Sequence, residues 1–122
     1  MIDLSAIDET ILLALDQIMS FHIGRREAIK FAHLHASVKS AIHPLTVGER
    51  GLRELIEEHR AQICFCTARP GGYFLASNDP DERRRELTDV IHSLDGYIAG
   101  AARRRRAIIQ ANPDMAQGVL GL

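Results

Sequence analysis

The chain has 122 residues, of which 46% are hydrophobic and 25% charged, and its formal net charge is −1. This size and composition fit one globular domain with an appendage. The near-neutral charge excludes a protein that is basic over its whole surface. The longest apolar run is too short to cross a bilayer, and the first residues lack the basic region of a signal peptide. We therefore expect a cytoplasmic protein with no membrane partner.

Three helices are predicted in the first half of the chain. Apolar residues at three-and-four spacing predict a first helix from about Ala6 to Phe21 and a second over residues 26–40. Pro44 then favours an extended backbone. Thr46 and Glu49 match the T-x-x-E capping box and predict that a third helix begins there.

A β-hairpin is predicted after the third helix, because the apolar pattern changes to a period of two. Residues 63–66 and 73–75 alternate in this way on either side of Pro70, Gly71 and Gly72. Glycines adopt the positive φ angles that tight hairpin turns need. Cys64 and Cys66 lie two apart on the first strand and face the same side.

A long final helix is predicted from Asp79 as the capping residue and Pro80 as the first helical residue, to about residue 112. Its apolar residues fall on heptad positions and predict a homodimer through this helix. The alternative is that the same face packs back on its own domain. The predicted regions are 1–78, 79–112 as the dimerisation helix, and a flexible tail, 113–122. The predicted dimerisation residues are Leu87, Ile91, Leu94, Ile98, Ala101 and Ile108.

The order of three helices and a hairpin resembles a winged helix-turn-helix, an α+β fold. The segment HPLTVGERGLRELIEEHRAQICFCTARPGGYFLAS carries the likeness, and its GYFL ending is similar to the wing of the biotin operon repressor type of N-terminal domain. GRREAI, GLRELI and GGYFLA are also similar to motifs of small phage and prophage winged-helix proteins. The resemblance covers about residues 7–77.

This resemblance implies a protein that binds double-stranded DNA, in transcription regulation or phage-type DNA replication. A single module with few cations would bind weakly, so we expect it to bind as a dimer. The third helix would enter the major groove, and the hairpin would contact the backbone with Arg69 at its tip. The implied DNA-binding residues are Thr46, Gly48, Glu49, Arg50, Arg53, Glu57 and Arg69.

The charge of the third helix departs from this expectation. Three arginines stand against four glutamates over residues 49–60, so the helix is net acidic by one. DNA-binding helices are usually basic, since phosphate neutralisation supplies much of their affinity. A protein-protein interaction module therefore remains the alternative function.

Catalytic and metal-binding hypotheses have little support in the sequence. Cys64 and Cys66 with His33 and His35 are the one conceivable zinc set, but C-x-C is an unusual zinc spacing. The two histidines also lie about 200° apart around a helix. There is no G-x-S-x-G, P-loop or H-E-x-x-H motif. We expect no enzymatic activity, no metal and no cofactor.

Two further patterns remain open. The tail QGVLGL resembles the Q-x-x-L-x-L peptides that dock on bacterial sliding clamps, which would use Gln117, Leu120 and Leu122. The arginine runs at 83–85 and 103–106 fit either a solvated helix surface or phosphate contacts.

Overall fold

The computed structural model describes residues 4–66 and 71–114, and it is an α+β structure dominated by helices. A 3-10 turn at Arg25–Glu27 separates the first two helices. In chain order the helices and strands are α1 Leu4–Met19, α2 Phe31–Ile42, α3 Glu49–His59, β1 Ile63–Cys66, β2 Gly72–Leu75 and α4 Pro80–Ala111.

The main core lies where α1, α2 and α3 meet. Its fully buried side chains include Leu15, Met19, Leu34, Val38 and Leu52. They recur at three-and-four spacing within each helix, so each helix turns one apolar face inward. The predicted first helix is therefore confirmed, although it begins at Leu4 and ends at Met19.

The predicted hairpin is confirmed, and it has two apolar faces. β1 pairs with β2 antiparallel, with Ile63 opposite Leu75 and Cys64 opposite Phe74. Successive side chains point to opposite faces of a strand. Ile63 and Leu75 pack against the helical core, whereas Cys64 and Phe74 form a second cluster with Ala76. Apolar residues at successive strand positions are therefore explained by burial on both sides.

The segment between α1 and α2 runs beside β2 and was not anticipated. Ile23 forms a bridge with Leu75, and Ile29 forms one with Tyr73. Ile29 and Tyr73 exchange both backbone hydrogen bonds, each with an N···O distance of 2.8 Å. The prediction that a helix begins at residue 26 is therefore wrong, since α2 begins only at Phe31. Pairing with β2 holds residue 29 in an extended conformation and overrides the helical pattern.

The capping box predicted for α3 is also wrong. The helix begins at Glu49 with extended Gly48 at the N-cap position, so Thr46 and Glu49 lie out of register for reciprocal capping. The reason is tertiary: Val47 packs on the core, and its carbonyl oxygen lies 2.6 Å from Nε2 of His35. This contact holds the approach to α3 in an extended conformation.

The predicted start of α4 is confirmed. The Asp79 carboxylate accepts a hydrogen bond from the backbone N–H of Glu82 at 3.0 Å, and Pro80 is the first helical residue. Farther along, the Glu86 carboxylate accepts the N–H of Ser77 at 2.7 Å and that of Arg25 at 2.9 Å. One side chain thus ties α4 both to the end of the hairpin and to the segment before α2.

The chain divides into two compact units, Met1–Val90 and Ile91–Leu122. The first extends beyond the predicted boundary at residue 78 because Leu87 and Val90 pack against the cluster of Cys64 and Phe74. In the second unit, α4 continues to Ala111, close to its predicted end. Among the described residues, no helix combines the length and the hydrophobicity needed to cross a membrane.

Gly72 should be intolerant of any side chain. Its φ is +114°, and a Cβ there would collide with the carbonyl oxygen of Ile29. We expect Gly72→Ala to lower the free energy of unfolding by about 1–3 kcal/mol from the φ strain alone, with the collision adding to it. Urea denaturation measures this loss.

Gly96→Ala is the matched control, because a Cβ at Gly96 meets no atom within 4 Å inside a helix. That variant should be more stable by up to about 1 kcal/mol. Equal stability of the two variants would contradict the close approach of Gly72 to Ile29.

Candidate nucleic-acid interface

The outward face of α3 brings most of the predicted site residues together. Glu49, Arg50, Arg53 and Glu57 fall within about 100° around the helix, on a side turned about 120° from the one that faces the core. All four are exposed, as are Thr46 and Gly48 just before the helix. Arg69 lies outside the described residues. We call the surface formed by these four residues of the helix the α3 face.

Arg50 lies at the most exposed part of the α3 face. Its guanidinium makes an ion pair with Glu54 at 3.1 Å, although the Arg50 side chain is 93% exposed. Surface pairs at this helical spacing contribute only about 0.3–0.5 kcal/mol. Arg50 can therefore exchange Glu54 for another anion at little cost.

Arg53 is held in place by an aromatic ring. Its guanidinium carbon lies 4.1 Å from the centroid of the Phe31 ring, at the first turn of α2. Phe31 in turn stacks on His35, with centroids 6.0 Å apart, and contacts Tyr73 of β2 at 5.6 Å. This cation–π contact contributes about 0.5–1 kcal/mol at an exposed site. The contact holds the Arg53 guanidinium near the point where α2, α3 and the hairpin meet.

Phe31 and Tyr73 were not among the predicted site residues, and His35 was considered only as a metal ligand. The available signal was the i, i+4 spacing of Phe31 and His35, which places two rings on the same side of a helix. Nothing in the local sequence connects this pair with Arg53, since the helices that carry them meet only in the folded chain.

Arg60 does not contribute to the α3 face. It follows α3 and makes a two-pronged ion pair with Asp16 of α1, with Nε–Oδ1 at 2.6 Å and Nη2–Oδ2 at 2.9 Å. The hydrogen bond to Asp16 raises the pKa of the Arg60 guanidinium. The cations of α3 itself are then Arg50 and Arg53, against four glutamates on the same helix.

The backbone before α3 offers hydrogen-bond donors. Gly48 is the N-cap residue and makes no side-chain capping bond. The first N–H groups of a helix have no partner within the helix, and they favour anions. A phosphate that approached Thr46 and Gly48 would therefore meet backbone donors next to Arg50.

The predicted dimerisation residues fall into two groups. Leu87 packs within its own chain, against the second hydrophobic cluster. Ile91, Leu94, Ile98, Ala101 and Ile108 are exposed on α4. The tail residues Gln117, Leu120 and Leu122 lie outside the described part of the chain.

A cleft lies between the 3-10 turn and the first turns of α4. This cleft of about 520 Å³ is lined by charged side chains of both signs, including Arg25, Arg85, Glu86 and Asp89. Arg25 pairs with Asp89 at 3.1 Å, and Glu86 is occupied by two backbone donors. The groups that would bind a ligand thus already serve to fasten α4.

The two cysteines occupy a structural position. Cys64 is fully buried in the cluster with Phe74 and Ala76. Burial, with a smaller effect from the Glu86 carboxylate, raises the pKa of the Cys64 thiol to about 11. In the described residues, no three His, Cys, Asp or Glu side chains are grouped closely enough to hold a metal ion. The C-x-C pattern therefore places a core residue, Cys64, on the face of β1 that packs against the start of α4.

Comparisons of the chain with protein-family models, curated proteins and solved structures gave no match. The function is therefore inferred from the geometry of the site.

The raised pKa of Cys64 predicts a loss of stability in alkaline solution. Because the folded state favours the neutral thiol, this contribution is present below the ordinary pKa of 9.0 and is lost as the pH rises to about 11. A pKa shift of this size corresponds to a loss of at most about 3 kcal/mol in the free energy of unfolding.

Urea denaturation of the parent and of Cys64→Val between these pH values measures the effect. The difference in unfolding free energy between the two proteins should change in favour of the variant as the pH rises. A difference that stays constant with pH would contradict the burial of the neutral thiol.

Proposed function

We propose that this chain is a non-enzymatic double-stranded DNA-binding protein of the winged helix-turn-helix type. In this proposal α3 enters the major groove, and the β1–β2 hairpin contacts the DNA backbone. The observation that carries it is the α3 face: Arg50 and Arg53 are exposed on one side of a helix whose other side forms the core.

The way the hairpin is attached supports this arrangement. β2 pairs with β1 on one side and with Ile23 and Ile29 on the other. The Tyr73 ring also touches Phe31, which lies under Arg53. A hairpin fixed at its base beside a recognition helix can present both elements to one duplex at a defined spacing.

The chemistry of the α3 face suits base recognition better than general phosphate binding. An arginine binds guanine through two hydrogen bonds in the major groove, and a glutamate accepts a hydrogen bond from cytosine. Arg53 is held in one place by Phe31, and Glu57 lies one turn farther along the same face. On α3 as a whole, the surplus of glutamates repels phosphates and weakens non-specific binding. We therefore expect moderate affinity with a clear preference for particular sites.

Protein binding is the second candidate function, and the acidity of α3 favours it. With Arg60 paired to Asp16, two arginines remain against four glutamates on the helix. Such a surface would attract a basic partner. In this alternative the C-terminal tail, with Gln117, Leu120 and Leu122, would contact a replication complex or the sliding clamp.

The test of DNA binding is selection of duplexes from a randomised pool, followed by fluorescence anisotropy with the selected duplex. We expect the affinity to fall steeply with rising salt. Arg50→Ala and Arg53→Ala should each weaken binding roughly tenfold, since a two-pronged base contact is worth about 1–3 kcal/mol. Glu54→Gln should strengthen binding, because it releases Arg50 and removes a negative charge.

Arg84→Ala is the matched control, because it removes an exposed arginine from a different helix, α4. It should leave the affinity nearly unchanged. No duplex selected at low salt, or equal binding by the parent and the Arg50→Ala, Arg53→Ala double variant, would overturn the proposal. Binding of a basic peptide that is lost in Glu57→Gln would support the second function.

A further inference from the structure

The second unit of the chain carries an exposed apolar stripe that leaves hydrophobic side chains in water. Ile91, Leu94, Ile98 and Ile108 are 56%, 45%, 67% and 40% exposed. With Ala101 and Arg105 they fall on one side of α4, within about 100° around the helix. We call these six residues the α4 stripe. Apolar residues in this spacing are typical of helices that pair with another helix.

The charges along this part of α4 are unevenly distributed. Asp95 is the one charged residue between Ile91 and Ala102, whereas Arg103–Arg106 form an unbroken run of four arginines. Arg105 lies within the α4 stripe itself. The other three point to its edges or away from it.

We propose that two copies of this chain pair through the α4 stripe, with their helices antiparallel. In this orientation the six positions match each other in order. Ile91 of one copy meets Ile108 of the other, Leu94 meets Arg105, and Ile98 meets Ala101. Because each pair occurs twice, the same six residues form the whole of a symmetric interface.

Charge and side-chain volume both favour this orientation over the parallel one. A parallel, in-register pair would place Arg105 against Arg105, and the two runs of four arginines would repel each other. It would also place Ala101 against Ala101 and leave a gap. In the antiparallel pair, the aliphatic part of Arg105 covers Leu94 while its guanidinium reaches toward Asp95. Ile98 fills the space that Ala101 leaves.

The length of the α4 stripe limits the affinity that we expect for the dimer. Residues 91–111 form about 31 Å of helix. A two-helix contact of this length buries less than the roughly 800 Å² per partner of a standard interface. The dimer should therefore form at micromolar concentrations and dissociate on dilution.

Sedimentation equilibrium of the full chain, without DNA, tests the pairing. The parent should change from monomer to dimer with concentration. Ile98→Asp should raise the dissociation constant at least tenfold, and Arg105→Leu should lower it. Ala99→Asp is the matched control, since Ala99 is exposed and lies about 130° around α4 from the middle of the α4 stripe, and it should dimerise like the parent. A parent that stays monomeric, or equal dimerisation of Ile98→Asp, would overturn the proposal.

Cross-linking tests the orientation, in a Cys66→Ser background, since Cys64 is buried. With a short bismaleimide, a mixture of Ile91→Cys and Ile108→Cys proteins should give heterodimers, and neither protein alone should cross-link. Efficient cross-linking of each protein alone would show a parallel pair and overturn the antiparallel assignment. These measurements do not depend on DNA, so they can fail or succeed separately from the proposed function.

Discussion

Burial of both faces of the β1–β2 hairpin is the constraint on which the rest of the structure depends. Ile63 and Leu75 face the helical core, and Cys64 and Phe74 face Leu87 and Val90 of α4. A two-stranded hairpin alone is marginally stable in water. Here it becomes the middle layer between the helices and the start of α4, so the elements on either side are positioned by the same four-residue strands.

This layer also helps to position the α3 face. Tyr73 reaches from β2 to Phe31, and Phe31 supports Arg53. Arg50, by contrast, has only a weak surface partner. The two arginines therefore differ in mobility. Arg53 is held in place by Phe31, whereas the exposed Arg50 side chain can change its conformation and its partner. The proposed recognition surface therefore combines one arginine of fixed position with one that can change its partner.

Elements with strong local signals were predictable from the sequence, and those that depend on distant contacts were not. Gly71 and Gly72 marked the hairpin turn, and Asp79 with Pro80 marked the start of α4, because the physical cause lies within a few residues. The extended backbone at Ile29 depends on Tyr73, and the late start of α3 depends on how Val47 packs. Neither cause leaves a pattern in the adjacent sequence.

The same distinction applies to the candidate site. Exposure of Arg50, Arg53 and Glu57 followed from the helical period of α3, so their position on the outside of the helix was predictable. The partner of Arg60 was not predictable, because Asp16 lies on another helix. Because Arg60 pairs with Asp16, α3 itself has two arginines against four glutamates and is more acidic than the count over residues 49–60 indicates.

No side chain of α4 is buried, and beyond Val90 none belongs to a hydrophobic cluster of the described chain. Substitutions there leave the folded unit of residues up to Val90 largely undisturbed, provided that the helix persists. The stretch from Ile91 onward can therefore diverge without loss of the fold, while the hairpin and the three-helix core remain under selection for folding. Related chains would then share the interior and differ along the exposed part of α4.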